Sequence, residues 1–218
     1  MARTPFAGVL SLRQSPRSIG DMRSLVFVSP YAMVFWLIYI WAFTPEFAIV
    51  SRARRTVVEN RSKDSGSLQL ILFGTSLMML LSFPLSFVTS LRFPAAANLP
   101  AFLIGTVLLA AGSVLRRHCW RMLGEYFTGD VQTRAEQPVI DRGAYRWVRH
   151  PSYSAAILMF VGIGLALANW ASLVPLVLVA IMVYSYRARV EERALIQTLG
   201  QPYITYMKAR KRFVPFII

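Results

Sequence analysis

Apolar residues along this chain gather into long uncharged runs, and the charged residues gather between them. Residues 25–43 carry no charge and suffice to span roughly 30 Å of hydrocarbon as one helix. Trp36, Tyr39 and Trp41 suit an interfacial belt near its end, and Pro30 early in the run is tolerable in lipid. A polar loop is expected over 44–67, where Arg52, Arg54, Arg55, Arg61 and Lys63 meet Glu46, Glu59 and Asp64. The second span runs from Leu68 to about Leu91 with a kink at Pro84, and the loop after it closes at Asn98-Leu99-Pro100. The third, from Ala101 to about Leu115, gives way at Arg116-Arg117-His118 to a polar helical extension that Gly124 terminates. Turns and short extended structure are expected over 125–142, a stretch too polar and too long for a mere connector. Pro151 opens the fourth span, at a position where its missing N–H costs nothing, and the span ends at Ala168. The fifth runs from Trp170 to Tyr186 and continues as a polar helix to Leu199, before Gly200-Gln201-Pro202.

The pattern predicts an all-α polytopic membrane protein of about five transmembrane helices. Its parts are a basic tail over 1–24, three spans within 25–115, and a C-terminal region over 116–218 that contains spans four and five. Composition agrees: with 56% hydrophobic residues, 16% charged residues and a mean hydropathy of +0.48, the chain has more apolar side chain than one small soluble core needs. The lipid bilayer is the expected solvent for the excess.

A net charge of +14 raises the possibility of nucleic acid, but the arginines flank apolar runs instead of forming one polar face. That is the pattern of positive-inside loops and anionic-lipid contacts, and no nucleic-acid partner is expected. The basic segments 44–67, 116–150 and 187–218 are therefore assigned to the cytosol, and the 92–100 loop and the Asn169-Trp170 turn to the outside. Five crossings then place the basic tail outside, against the same rule; the tail has no apolar core of signal-peptide length. The single cysteine, Cys119, excludes an internal disulfide and is read as a buried small side chain.

Spans four and five form a hairpin that returns two polar stretches to one membrane face: Gly143 to Tyr153, and Arg187 to Leu195. Arg187 and Glu191 are four apart and share a helix face. By itself such a pair is an ordinary surface ion pair worth a few tenths of a kcal/mol, roughly 0.2–0.5. Its convergence with Arg149-His150-Pro151 at a helix start, where free N–H groups point outward, makes a pocket able to hold a carboxylate. Two histidines and one cysteine without ligand spacing argue against a metal site, and no phosphate-binding glycine loop or nucleophile elbow is present. These residues define a cytosol-facing polar pocket at the membrane surface and stop short of a reaction.

The motifs over residues 116–216 resemble the isoprenylcysteine carboxyl methyltransferase family, integral membrane enzymes that use S-adenosylmethionine. The matching residues are Leu123-Gly124-Glu125-Tyr126-Phe127-Thr128, then Gly143, Tyr145, Arg149-His150-Pro151 and Tyr153, then Glu191-Glu192 and Leu195, Gly200, Tyr203 and Tyr206, and finally Arg212-Phe213-Val214-Pro215. The resemblance implies a cofactor pocket lined by Gln132, Gln137, Pro138, Val139, Ile140, Tyr145, His150, Pro151, Ser152, Tyr153 and Glu191. It also implies that Arg187 faces a substrate carboxylate, with Arg187 and Glu191 as the catalytic pair. Gln137 departs from the family, which often has histidine there, and the segment between Gln132 and Gln137 is shortened.

The implied activity is S-adenosylmethionine-dependent methyl transfer to the carboxylate of a lipophilic, isoprenylcysteine-like acceptor. The residue types suit it, because a carboxylate is already ionised at neutral pH and needs positioning and desolvation more than a base. Arginine clamps a carboxylate bidentately, as lysine cannot. The alternatives are a nicotinamide-dependent membrane reductase of the sterol type, a phospholipid or amine N-methyltransferase, and a non-enzymatic membrane protein. Against the reductase, Arg149-His150-Pro151-Ser152-Tyr153 is followed by Ser154-Ala155-Ala156, where those enzymes have asparagine before the tyrosine and an acid soon after.

Overall fold

A computed structural model describes residues 24–56, 66–124 and 138–214, and all regular structure among them is helical. The principal helices are α1 (Tyr31–Thr56), α2 (Ser67–Leu85), α3 (Ala95–Leu123), α4 (Pro151–Ala166), α5 (Trp170–Leu199) and α6 (Gln201–Ala209). Short 3-10 turns lie at Leu25–Phe27, Thr89–Leu91 and Gly143–Arg146. α3 and α5 are long and apolar enough to cross a membrane, and only 39% of the most apolar window of each is buried against protein. Phe73, Leu80, Val107 and Met182 point outward, as side chains facing lipid do.

The most intimate seam joins α3 to α4, and it depends on missing side chains. A Cβ on Gly105 would stand 2.5 Å from the Gly162 carbonyl, and one on Gly162 would stand 2.6 Å from the Leu109 nitrogen. Small residues bring helix backbones together where packing must stand in for a hydrophobic drive, so these two glycines set the α3–α4 distance. α2 lies on α5, and α1 on α3. At one end of the bundle Asn169, fully buried, caps α5 through Ala171 N (2.8 Å) and donates Nδ2 to the carbonyls of Ser86 (3.1 Å) and Val88 (2.9 Å). The α4–α5 hairpin is thereby pinned to the chain leaving α2, and the polar ends of both helices meet at the opposite end.

Three boundaries differ from the sequence expectation. The first helix starts at Tyr31, after the cis Ser29–Pro30 peptide, and continues through the expected 44–67 loop as far as Thr56. Pro45 lacks the N–H that would bond the Trp41 carbonyl, but Thr44 Oγ1 (2.8 Å) and Arg117 Nη2 donate to that oxygen instead, so the helix survives its proline. α2 ends at Leu85, immediately after Pro84, in place of a kinked span to Leu91. α3 begins at Ala95, not Ala101: the Ala95-Ala96-Ala97 run favours helix and tolerates Pro100 near the start. The polar extensions of α3 to Gly124 and of α5 to Gly200 stand as expected, each glycine ending its helix with positive φ (56° and 61°). Residues 138–142 are irregular; the rest of the expected 125–142 turn region and the tail 1–23 lie outside the described residues.

Candidate active site

His150 is the N-cap residue of α4, and Pro151 occupies the first helical turn. The chain returns to this turn after α6: Arg149 N donates to Lys211 O (2.8 Å), His150 N to Arg212 O (3.0 Å), and Ser154 Oγ to Phe213 O (2.6 Å). The start of α4 is thus fixed by backbone bonds to the C-terminal segment before any side chain is considered. Across from it lies the polar half of α5, where consecutive residues point about 100° apart on a helix with 3.6 residues per turn. That spacing sends Glu191 and Glu192 to different duties.

Glu192 is 4% exposed and is the hub of the cluster. Oε1 accepts from Arg149 Nε (3.0 Å) and Arg212 Nε (3.2 Å) and lies 3.1 Å from His150 Nε2, while Oε2 accepts from Arg212 Nη2 (2.6 Å). Burial works to raise this carboxyl, but the hydrogen bonds from His150 and Arg212 and the nearby positive charges prevail and hold it at about 2, against an ordinary 4.5. Arg149 also donates Nη1 to the carbonyls of Met207 (2.7 Å) and Arg210 (3.0 Å), tying the end of α6 into the cluster.

Glu191 keeps a third of its side chain exposed. The Tyr153 hydroxyl donates to its Oε2 at 2.6 Å, and His150 Nδ1 lies 3.7 Å from the same oxygen. The His150 and Tyr153 rings stack nearly parallel at 5.2 Å, and Tyr184 follows at 5.3 Å from Tyr153. Arg187, 4% exposed and one turn earlier on α5, hydrogen-bonds with Tyr153. A carboxylate, stacked aromatic faces and a guanidinium therefore converge at one place.

Of the residues singled out from sequence, His150, Tyr153, Arg187 and Glu191 are brought together directly. Tyr145 is buried beneath them, its carbonyl accepting from Tyr206 Oη at 2.7 Å, and burial beside Cys119 and Glu191 pushes its phenol upward. Pro138, Val139 and Ile140 form an irregular strip leading toward the Gly143–Arg146 turn, exposed at Pro138 and half-buried at the other two. Gln132 and Gln137 lie outside the described residues.

Ser152 faces inward from α4: its Oγ accepts from Arg116 Nη1 and Trp120 Nε1 (both 3.1 Å), and its carbonyl accepts from Arg116 Nη1 (2.8 Å). Sequence reasoning missed Arg116, taking it for a marker of the membrane boundary, and missed Glu46, taking it for a loop residue. Nε and Nη2 of Arg116 hold the Glu46 carboxylate, and the guanidinium lies 4.8 Å from the Trp120 ring centroid. The roles of Arg149, Glu192 and Arg212 were missed as well. The available signals were the closing motif at Arg212 and the doubled acid at 191–192, whose members point about 100° apart on a helix and here approach opposite nitrogens of His150.

Among the described residues these features define a helical fold, with two helices long and apolar enough to cross a membrane and a polar site where α4 begins and α5 leaves its apolar stretch. Residues 103–197 match the model of the isoprenylcysteine carboxyl methyltransferase family. It is 34% identical over 116 residues to the protein-S-isoprenylcysteine O-methyltransferase of Saccharomyces cerevisiae, covering 52% of this chain and 48% of that protein. Form B of that enzyme from Arabidopsis thaliana is 30% identical over 115 residues, covering 52% and 58%. The matches thus span about half the length of these curated relatives. A solved eukaryotic intramembrane Ras methyltransferase of the same family superposes with a TM-score of 0.58 at 20% identity, over 90% of this chain and 73% of that one, which establishes the shared fold.

Proposed function

We propose that the protein is an S-adenosylmethionine-dependent carboxyl O-methyltransferase acting on a lipophilic, isoprenylcysteine-like acid. In this reading it is a multi-pass protein of five spans whose site faces the cytosol, and residues 116–218 form its catalytic region. The observation that carries the reading is the meeting of Glu191, Tyr153, His150 and Arg187 at one helix start. Proteins of the matched family named for S-isoprenylcysteine O-methylation lend it support.

The donor set fits a cationic cofactor. Glu191 offers a carboxylate one-third exposed and held in place by Tyr153, and the stacked rings beside it offer faces that attract positive charge. Gln132, Gln137, Pro138, Val139, Ile140, Tyr145, His150, Pro151, Ser152 and Tyr153 are assigned to the remainder of that pocket. When bound, S-adenosylmethionine supplies an electrophilic methyl group. Arg187 orients the acceptor carboxylate, and its burial excludes the water that would shield the charge. No group in the site has to remove a proton, because the nucleophile is ionised beforehand.

The apolar part of the acceptor has a place to go. A cavity of about 360 Å³ opens beneath the site between α1, α2, α3, α4 and α5, walled by residues such as Phe43, Ile71, Met79, Phe83 and Phe160. Equilibrium binding to detergent-purified protein tests the cofactor assignment: S-adenosylmethionine binds and neither NADPH nor NADH competes. Tight NADPH binding with no S-adenosylmethionine binding overturns the proposal in favour of a reductase.

A further inference from the structure

The Gly143–Arg146 turn ends in an exposed indole. Trp147 is half exposed, with the Arg146 guanidinium 5.0 Å from its ring centroid, while the next residue, Val148, is buried. A second pair repeats the arrangement: Arg117 stands 4.4 Å over the ring of Trp41, which is also exposed. Arg117 follows Arg116, whose guanidinium binds Ser152 in the first turn of α4, so both pairs lie near the level at which α4 begins. Among the described residues neither Arg146 nor Arg117 has a carboxylate partner, whereas Arg116, Arg149, Arg210 and Arg212 each have one. The positive charge of these two is not met within the described fold.

Length fixes where this level falls in a bilayer. α4 has 16 residues and rises about 24 Å, against roughly 30 Å of hydrocarbon. With α4 spanning as proposed, its polar start is drawn to the edge of the hydrocarbon instead of standing clear in water. Trp147 lies four residues before Pro151, and Trp170 four residues after Ala166. One half-exposed indole therefore flanks α4 at each end, as the aromatic belts of a spanning segment do. Trp170 packs on Phe93 (4.7 Å), an apolar neighbour, whereas Trp147 carries an arginine on its face. The exposed Arg142 caps the same turn, and the exposed Lys211 is tied to it by the Val148–Lys211 bridge. The acid nearest in sequence, Asp141, is occupied by Arg210 (3.3 Å).

A guanidinium beside an indole at this depth meets the phosphate layer. The ring lies among the headgroups, and the guanidinium fork matches phosphate oxygens bidentately. We propose that Arg146 and Trp147, with Arg142 and Lys211 beside them, form a docking surface for anionic phospholipid headgroups, which the Arg117–Trp41 pair extends along the same level. The surface fixes the depth of the α4 start in the leaflet. The anion is a lipid phosphate, because each arginine is accompanied by an exposed indole, which gains nothing from a soluble ion. The inference rests on the spanning of α4 and not on methyl transfer.

Tryptophan quenching of the whole protein in phosphatidylcholine nanodiscs tests it, with acyl-brominated phosphatidylglycerol or acyl-brominated phosphatidylcholine added at the same mole fraction. The Trp147 signal is the difference between wild type and Trp147→Phe. Both lipids should quench it, with phosphatidylglycerol enriched about tenfold beside it. Arg146→Gln should cut that enrichment about fivefold, the worth of one basic residue at a charged surface, and Arg146→Lys should keep most of it. Equal quenching by the two lipids in the wild type, or an enrichment that survives Arg146→Gln, overturns the proposal. So does a Trp147 signal quenched by aqueous acrylamide and by neither lipid, which leaves the turn in water, and one quenched by none of the three, which puts protein over it. If lipid quenches the remaining tryptophans in those last two cases, the bilayer reading stands and only this surface falls. If lipid quenches no tryptophan at all, the spanning reading falls with it.

Discussion

The polar site at the start of α4 and the apolar cavity below it solve the same problem with opposite charges. In the site the buried ion is an anion, Glu192, held by Arg149, His150 and Arg212. At the cavity it is a cation, Arg116, held by Glu46 and Ser152. Each saturated group leaves beside it a carboxylate with room to spare, Glu191 in one case and Glu46 in the other. A buried charge with every partner in place fixes geometry, and the acid next to it is the more exposed of the two. The regions differ in what else is present: the site adds the buried Arg187 beside the stacked His150 and Tyr153 rings, whereas the rest of the cavity wall is mainly apolar.

The comparison breaks most visibly at Glu192. Glu192→Gln leaves Arg149 and Arg212 without a counter-charge in a buried place, and loss of one partner from such a cluster costs about 3–5 kcal/mol. Thermal unfolding in detergent should show it, while Glu191→Gln shifts the midpoint little. A Glu192→Gln protein as stable as the wild type would mean that the backbone bonds from Arg149 and His150 hold the turn alone.

Acid should reproduce part of that loss without a mutation. The Glu192 carboxyl lies at about 2 in the folded protein against an ordinary 4.5, so its contribution is complete above about pH 4.5 and disappears as pH falls toward 2. At about 1.4 kcal/mol per pH unit the gap corresponds to about 3 kcal/mol. Stability measured between pH 6 and pH 3 should fall in the wild type and fall less in Glu192→Gln. Identical slopes would show that other carboxylates govern the acid limit.

The architecture was legible where lipid alone dictates pattern. The runs at 151–168 and 170–186 had to be helices, and Pro151, Gly124 and Gly200 marked ends by their own backbone chemistry. The limits of α1 and α3 were not legible, because Pro45 and Pro100 signal a break in sequence. At Pro45 the rescue comes from the Thr44 hydroxyl and from Arg117, which is distant in sequence. Spacing in the sequence singled out His150, Tyr153, Arg187 and Glu191, which the fold brings together. It gave no partner to Glu46 or Arg116, and none to Arg212 beyond its place in the closing motif, because their partners lie on elements that meet only in three dimensions.

A smaller effect separates Arg187 from Glu191. Arg187→Lys keeps the charge but loses the two-pronged geometry, so turnover should fall about 10- to 100-fold with S-adenosylmethionine affinity kept within about threefold. Glu191→Gln should weaken S-adenosylmethionine binding about tenfold, as removal of one charge contact does. Equal and small effects of both changes would reduce the pair to a helix-face contact of about 0.5 kcal/mol.

The subtlest change is Tyr153→Phe. The ring remains, so its stack on His150 at 5.2 Å and its contact with Tyr184 at 5.3 Å survive, and the hydroxyl's bonds to Glu191 (2.6 Å) and to Arg187 are lost. Stability should fall by about 1–2 kcal/mol, since water can replace the hydroxyl at Glu191 but not at the buried Arg187. If Tyr153 acts by aiming Glu191 at the cofactor, S-adenosylmethionine affinity should drop about threefold to tenfold, and the loss should vanish when Glu191 is already Gln. A double-mutant cycle on cofactor affinity decides this: coupling of about 1 kcal/mol places both residues in one interaction, and additive losses mean that Tyr153 meets the cofactor by itself.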